Sequence, residues 1–307
     1  MRRTSLGLRN RGCQIRTTCP RSSSSAAAAA VPELSQEQQR NLQELDSRGF
    51  TVVHDVFTPQ QVQVLQQDYT QLLAKATAFM DSTPARVRAM EENDTQIESR
   101  YWKKAAAGGA NGSASANANA NAEQEDEEIL ILQAGKGRYD LYKGFGTAAD
   151  GVFGSAAVLH NPVIGALVKR LLVRDYTSYT GVIHSTCGSE DQYWHRDTDN
   201  LSNSNTDGAE MVQIDDFYFT CLVPCTVPIT AANGPTEFYA GSHRVPASAF
   251  PQCTVESVGE IPLGSALLFN GKCNHRGVAN RSKQDRPAIY SVFHKLWYND
   301  QFRKGIE

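Results

Sequence analysis

Residues 264–297 read GSALLFNGKCNHRGVANRSKQDRPAIYSVFHKLW, and the order of the parts decides the fold. An apolar run from Gly264 to Asn270 gives way to a polar turn holding His275, and a second run, β-branched and aromatic, starts at Arg286. Both runs have strand-like composition, and Gly, Asn and Ser separate them where a helix would show a 3.6-residue repeat. Outward from this stretch the same character recurs at Tyr176 to Thr186, Val212 to Val223 and Thr236 to Tyr239. Short strands that follow one another without intervening helices build a sandwich or jelly roll, which brings the ends of distant strands together.

The amino-terminal half reads differently. Ser35 and Gln38 form a capping-box pattern that opens a Gln-rich helix ending near Gly49. Phe50 to Phe57 alternates as a strand, and Thr58-Pro59 then supplies an N-cap and first-turn proline for a second helix carrying Val62, Leu65, Tyr69, Leu72 and Leu73 at helical spacing. A third helix is expected from Asn161-Pro162 through Leu167, Leu171 and Leu172. Residues 1–32 hold six arginines, a serine run and five consecutive alanines with no acidic residue, the composition of a mitochondrial or chloroplast transit peptide or of a disordered basic tail on a cytoplasmic protein. Residues 105–128 are low-complexity and then acidic, so they are expected to be a disordered insertion within a single domain spanning 33–307.

Composition excludes several classes. The 307 residues carry a formal net charge of −3 with both signs spread along the chain, which offers no basic field to a nucleic acid or an acidic membrane. No apolar run is long enough to span a bilayer. The seven cysteines are odd in number and irregularly spaced, unlike a disulfide framework, and Cys221 and Cys225 lack a second pair at zinc-finger spacing. Buried free thiols are the expectation.

The chemistry begins with His195-Arg196-Asp197, because residues two apart on an extended segment share a face. Alone, an HxD is weak, and its ordinary reading is a surface ion pair. His275 changes that reading, since a jelly roll would carry it to the same place. Two histidines and one carboxylate are the facial ligand set of non-haem Fe(II) oxygenases, which leaves three coordination positions open. The HxD pair, the turn Asn233-Gly234-Pro235-Thr236-Glu237 leading to Gly241-Ser242-His243, and the distal histidine followed by Asn280, Ser282 and Arg286 together resemble the phytanoyl-CoA dioxygenase family of 2-oxoglutarate oxygenases. The resemblance runs from about Leu34 to Trp297, with the low-complexity insertion as a departure.

This resemblance implies a mainly β, cupin-like double-stranded β-helix (jelly roll) with flanking amino-terminal helices. It implies that His195, Asp197 and His275 ligate Fe(II) and that Arg286 pairs with the distal carboxylate of 2-oxoglutarate, a role suited to an always-charged, bidentate guanidinium. Relatives often carry a hydroxyl two residues after that arginine; Ala288 stands there, so Ser282 and Tyr179 are the candidate helper donors. The implied reaction consumes O2 and 2-oxoglutarate, releases succinate and CO2, uses ascorbate as reductant and oxidises a small molecule. Asp197 fills the position that related halogenases leave for chloride, which favours hydroxylation and leaves desaturation and ring formation open. Two other readings stand beside it, a catalytically inactive jelly-roll binding module and a cupin metalloenzyme that does not use 2-oxoglutarate. His243 reads as a supporting residue near the barrel mouth, His54, His160, His184 and His294 as surface or core residues, and Trp194 as a pocket wall or packing residue. Asp199 is a second carboxylate near the first ligand, and Thr198 to Gly208 is a polar loop, solvated or a lid. Neither the substrate's identity nor an oligomeric state is written in these motifs.

Overall fold

The computed structural model describes residues 33–82, 84, 87, 101–103, 129–143, 161–173, 175–198 and 214–299. The expected leader (1–32) and insertion (105–128), together with His160, Asp199 and all of the polar loop but Thr198, lie outside the described residues. The elements below belong to the unit Leu34–Glu307.

Helix α1 spans Gln36–Ser47, and Ser35 and Gln38 close the reciprocal capping box expected of them. Gly49, at φ 90°, lets the chain turn at once into strand β1, Phe50–Val53. A Cβ at Gly49 would meet His243 Nδ1 at 2.7 Å and Cys273 Sγ at 2.9 Å, so only glycine fits this close approach. The strand is shorter than the alternation suggested: Asp55 turns at φ 50°, while Val56 and Phe57 continue inward as buried loop residues. Helix α2 spans Pro59–Ser82, and helix α3 spans Pro162–Leu172 with Asn161 as its cap.

The strands are β2 Tyr101–Lys103, β3 Ile129–Gln133, β4 Arg138–Lys143, β5 Tyr176–Ser185, β6 Tyr218–Pro224, β7 Thr236–Tyr239, β8 Val255–Ser257, β9 Ala266–Asn270, β10 His275–Gly277 and β11 Arg286–Lys295. They form an eight-stranded sheet in the order β1-β9-β6-β11-β5-β4-β3-β2 and a three-stranded sheet in the order β10-β7-β8. The result is an antiparallel β core with amino-terminal helices, a double-stranded β-helix. The hairpin β3–β4 and the short β8 and β10 were not anticipated from composition.

Period two explains the layering. In β6 and β9, Phe219, Cys221, Val223, Ala266 and Leu268 face the helices, in one core with Leu65, Leu72, Leu167 and Leu172. Alternate positions, Leu267, Phe269 and Ala288, face the small sheet and join Phe50 and Phe238 in a second core. Strand β11 is therefore buried on both faces and reads as an almost unbroken apolar run. The interior cysteines conform to the free-thiol expectation. Cys221 and Cys225 are buried, and burial pushes both thiols up to about 12.

Phe238 couples the sheets. It stacks on Phe50 at 4.2 Å and 13° and meets the edge of Phe269 at 5.3 Å. Its other neighbour is the His275 ring, 5.5 Å away. Replacing Phe238 by Ala is expected to destabilise the protein by about 3–5 kcal/mol in denaturant unfolding, the usual cost of emptying a large aromatic site that cannot collapse. A loss under about 1 kcal/mol would show that the inter-sheet core is not the close-packed layer described here.

Candidate metal centre and anion pocket

The HxD segment joins the small sheet as an extra extended piece. His195 and His275 form an isolated antiparallel bridge, each backbone N–H donating to the other's carbonyl at 2.9 Å, and the Asp197 N–H donates to Gly271 O at 3.0 Å. This pairing brings the two imidazole rings to a centroid separation of 4.4 Å. Asp197 Oδ1 stands 3.4 Å from His275 Nε2 and 3.9 Å from His195 Nε2. Arg196 points the other way, with its guanidinium 4.4 Å over the Phe250 ring, as period two requires.

One potential ligand atom from each of His195, Asp197 and His275 lies within 4.8 Å of the others. Their chemistry fits a divalent metal. His195 Nδ1 is 2.8 Å from Tyr193 O and His275 Nδ1 is 3.0 Å from Cys273 O. A carbonyl only accepts, so each Nδ1 carries the proton and each Nε2 presents its lone pair toward the carboxylate. Burial, with His195 adding to it and Asp197 opposing, pulls the His275 imidazole down to about 4, so it is neutral at pH 7 and in its ligating form. On the far side of the carboxylate, Thr220 Oγ1 donates to Asp197 Oδ2 at 2.7 Å.

A cavity of about 300 Å³ opens from this cluster, and its wall includes Arg138, Asp140, Arg286, Tyr179, Tyr218 and Tyr290. Arg286 is 3% exposed; its Nε donates to Asn233 O at 3.1 Å and a terminal nitrogen to Ser185 Oγ at 2.8 Å. Arg138, 1% exposed, reaches the same Ser185 Oγ at 2.7 Å and donates to Val278 O at 2.6 Å. Two guanidinium groups thus share one hydroxyl in the interior. Burial and then the neighbouring Arg138 pull Arg286 down to about 9, and burial pulls Arg138 down to about 10, so both stay cationic at neutral pH. Neighbouring buried cations that remain charged can bind an anion, and the same wall also carries the buried Asp140 carboxylate, which accepts from the Tyr290 hydroxyl at 2.9 Å.

The family-like motifs do structural work around this pair. Gly234, at φ 92°, would drive a Cβ into Val278 O, so the turn needs glycine, and that turn aims the Asn233 carbonyl at Arg286. Asn280 donates to Ser185 O and Gln284 O, closing the loop from β10 to β11. Ser282 belongs to the same turn. Its hydroxyl donates to Asn280 Oδ1 at 2.7 Å and accepts from the Gln284 N–H, which corrects the expectation that it is a helper donor in the pocket. Tyr179 does line the cavity, but it lies six residues along β5 from Ser185, about 20 Å at strand rise, and hydrogen-bonds Tyr218 instead. It stands away from the arginine pair, at the other end of the wall.

Other sequence expectations resolve simply. Trp194 packs at a tilt against Tyr239, ring centroids 4.2 Å apart, under Arg276. His54 is exposed; His184 is buried with Nδ1 2.7 Å from Tyr69 Oη, and His294 is buried beside Tyr218. His243, expected as a supporting residue, lies in a 3-10 turn, Ser242–Arg244, with Nε2 3.2 Å from Asp46 O at the end of α1; in the same turn Ser242 Oγ accepts the Asn274 N–H next to His275. Reasoning from sequence missed Arg138, Ser185 and Thr220. The hairpin holding Arg138 was legible in Gly135-Lys136-Gly137 between an apolar run and a short alternating one, but its low-complexity neighbourhood obscured it.

A model of the phytanoyl-CoA dioxygenase family matches residues 45–288. Among solved structures, the non-haem α-ketoglutarate-dependent carbocyclase SnoK from nogalamycin biosynthesis is similar at 15% identity, over 86% of this chain and 85% of that one, with a TM-score of 0.52. HygX from Streptomyces hygroscopicus, solved with nickel and 2-oxoglutarate bound, is similar at 15% identity over 87% and 90% of the two chains, with a TM-score of 0.50. At these identities the likeness is one of fold.

Burial pulls His243 down to about 4 against the opposing pull of Asp216, with Arg244 and Lys272 adding to the fall. Its unfolded value is about 6.5. The unfolded chain therefore binds the extra proton between those values, and the neutral imidazole's contribution is complete above about pH 6.5 and lost as pH falls toward 4. Thermal melts between pH 7.5 and 4.5 should show a smaller pH dependence in His243→Gln, which keeps a donor for Asp46 O, than in the wild type. Parallel curves would contradict this account of the buried imidazole.

Proposed function

We propose that this chain, which belongs to the phytanoyl-CoA dioxygenase family, is an Fe(II)- and 2-oxoglutarate-dependent oxygenase that hydroxylates a small molecule. The observation that carries the reading is a single cavity lined both by a two-histidine, one-carboxylate cluster and by two buried guanidinium groups. Iron(II), when bound there with 2-oxoglutarate and O2, supplies oxidation of a C–H bond coupled to decarboxylation to succinate and CO2.

The chain's own residues carry the rest. His195, Asp197 and His275 would hold the metal through two Nε2 atoms and Oδ1. Arg286 anchors the distal carboxylate of 2-oxoglutarate, and Arg138, orientated by Ser185, Val278 and Glu190, adds a second donor in place of the missing hydroxyl at Ala288. Fixed donors in a closed interior discriminate a dicarboxylate from a neutral ligand, because an unanswered buried cation is costly. Tyr179 and Tyr218, hydroxyl to hydroxyl at 2.9 Å, stand away from the anchor and face the substrate side. Ascorbate serves as the external reductant that keeps iron ferrous.

The test is succinate formation from 2-oxoglutarate by the purified protein with Fe(II), ascorbate, O2 and a pool of candidate metabolites. Both His195→Ala and Arg286→Ala are expected to lower it at least about 100-fold, as loss of a ligand or of the ion-paired anchor should. Arg138→Met should raise the KM for 2-oxoglutarate about 10-fold or more, the loss of one charge-assisted bond of roughly 1.5–3 kcal/mol. Wild type that neither turns over nor develops the visible charge-transfer band with Fe(II) and 2-oxoglutarate would remove the co-substrate from this reading.

A further inference from the structure

We infer that Thr220 is the positioning residue that makes Asp197 a one-oxygen ligand, an inference that rests on the metal-centre reading above. Asp197 has two chemically equivalent oxygens, and the structure treats them unequally. Oδ1 faces the two imidazole Nε2 atoms at 3.4 and 3.9 Å, while Oδ2 accepts the Thr220 hydroxyl at 2.7 Å. The distance is that of a charge-assisted O–H···O bond, stronger than a neutral one.

Three features make Thr220 a rigid donor. Its strand, β6, lies inside the large sheet, where Thr220 is paired with Phe269 on one side and Val292 on the other. The residue is 5% exposed, so water has little access to replace its hydroxyl. Threonine is also β-branched, which restricts χ1 and limits how far the hydroxyl can swing. The Asp197 backbone is held independently by its N–H bond to Gly271 O. Main chain and outer oxygen are thus both tied, and Oδ1 alone is left to ligate.

The consequence is geometric. A carboxylate free to rotate can place both oxygens on a metal and use one of the three positions that the facial set leaves open. The Thr220 bond holds Oδ2 back and preserves that position. It also gives Oδ2 a partner of its own, and outer contacts of this kind govern metal affinity as well as orientation.

The experiment is titration of the full-length protein with Mn(II) by calorimetry, followed by absorption spectroscopy of the Co(II) form, for wild type, Thr220→Val, Thr220→Ser and His275→Ala. Valine preserves the shape and removes the donor. It should weaken Mn(II) binding about 10–100-fold, whereas serine should stay within about threefold of wild type. The Co(II) d–d bands should change in the valine variant and persist with serine. Unchanged Mn(II) affinity and Co(II) spectrum in Thr220→Val would overturn the role, as would a serine variant as weak as valine. If valine does not fold, Thr220→Ala carries the same expectation, and failure of both to fold while serine folds and binds normally would make the hydroxyl a folding determinant and overturn the inference. Wild type that takes up no Mn(II), or His275→Ala that binds as well as wild type, would instead refute the metal centre itself.

Discussion

The site depends on a backbone pairing. His195 and His275 are eighty positions apart in sequence, and the reciprocal N–H to carbonyl bonds between them place their side chains on one face of the small sheet. Each such bond contributes on the order of 1 kcal/mol, too little to hold imidazoles together against their own desolvation. Support comes from behind, where Phe238 and Phe269 pack against the His275 ring and Ser242 pins the adjoining turn. The Cys273 carbonyl in that turn sets the imidazole's tautomer, so one short segment controls placement, protonation and orientation together.

The same economy governs the arginine pair. Arg138 and Arg286 lie on different strands, each paired in register with Ser185 on β5, and Ser185 is small enough for both guanidinium groups to reach its hydroxyl. Like charges in so little space repel, and carbonyls of Asn233, Val278 and Glu190 absorb part of that repulsion. The remainder favours an incoming anion. The cation pair and the His195, Asp197 and His275 cluster thus line one cavity with opposite charge preferences.

Much of this was readable before any coordinates. The capping box at Ser35, the proline-led second and third helices and six of the strands followed from local composition, because caps, first-turn prolines and period-two alternation act within a few residues. His195, Asp197, His275 and Arg286 were legible as a motif, and the structure brings them to one cavity. Ser282 was misplaced for an identifiable reason: a serine near an anchor arginine looks like a donor to ligand, yet its hydroxyl satisfies the turn that delivers the arginine.

Local sequence thus determined which segments are helix or strand and which residue types were available for metal and anion chemistry. Three-dimensional packing decided their partners. Gly135-Lys136-Gly137 beside Arg138 marks a turn and says nothing of what the guanidinium meets, and Thr220 is one β-branched residue among many that suit a strand. Their meaning arises from register: Ser185 lies beside both Arg138 and Arg286, and Thr220 lies where its hydroxyl meets Asp197. Local propensity reaches only a few residues, whereas hydrogen bonds at these positions join segments far apart in sequence and exist only once the strands have paired.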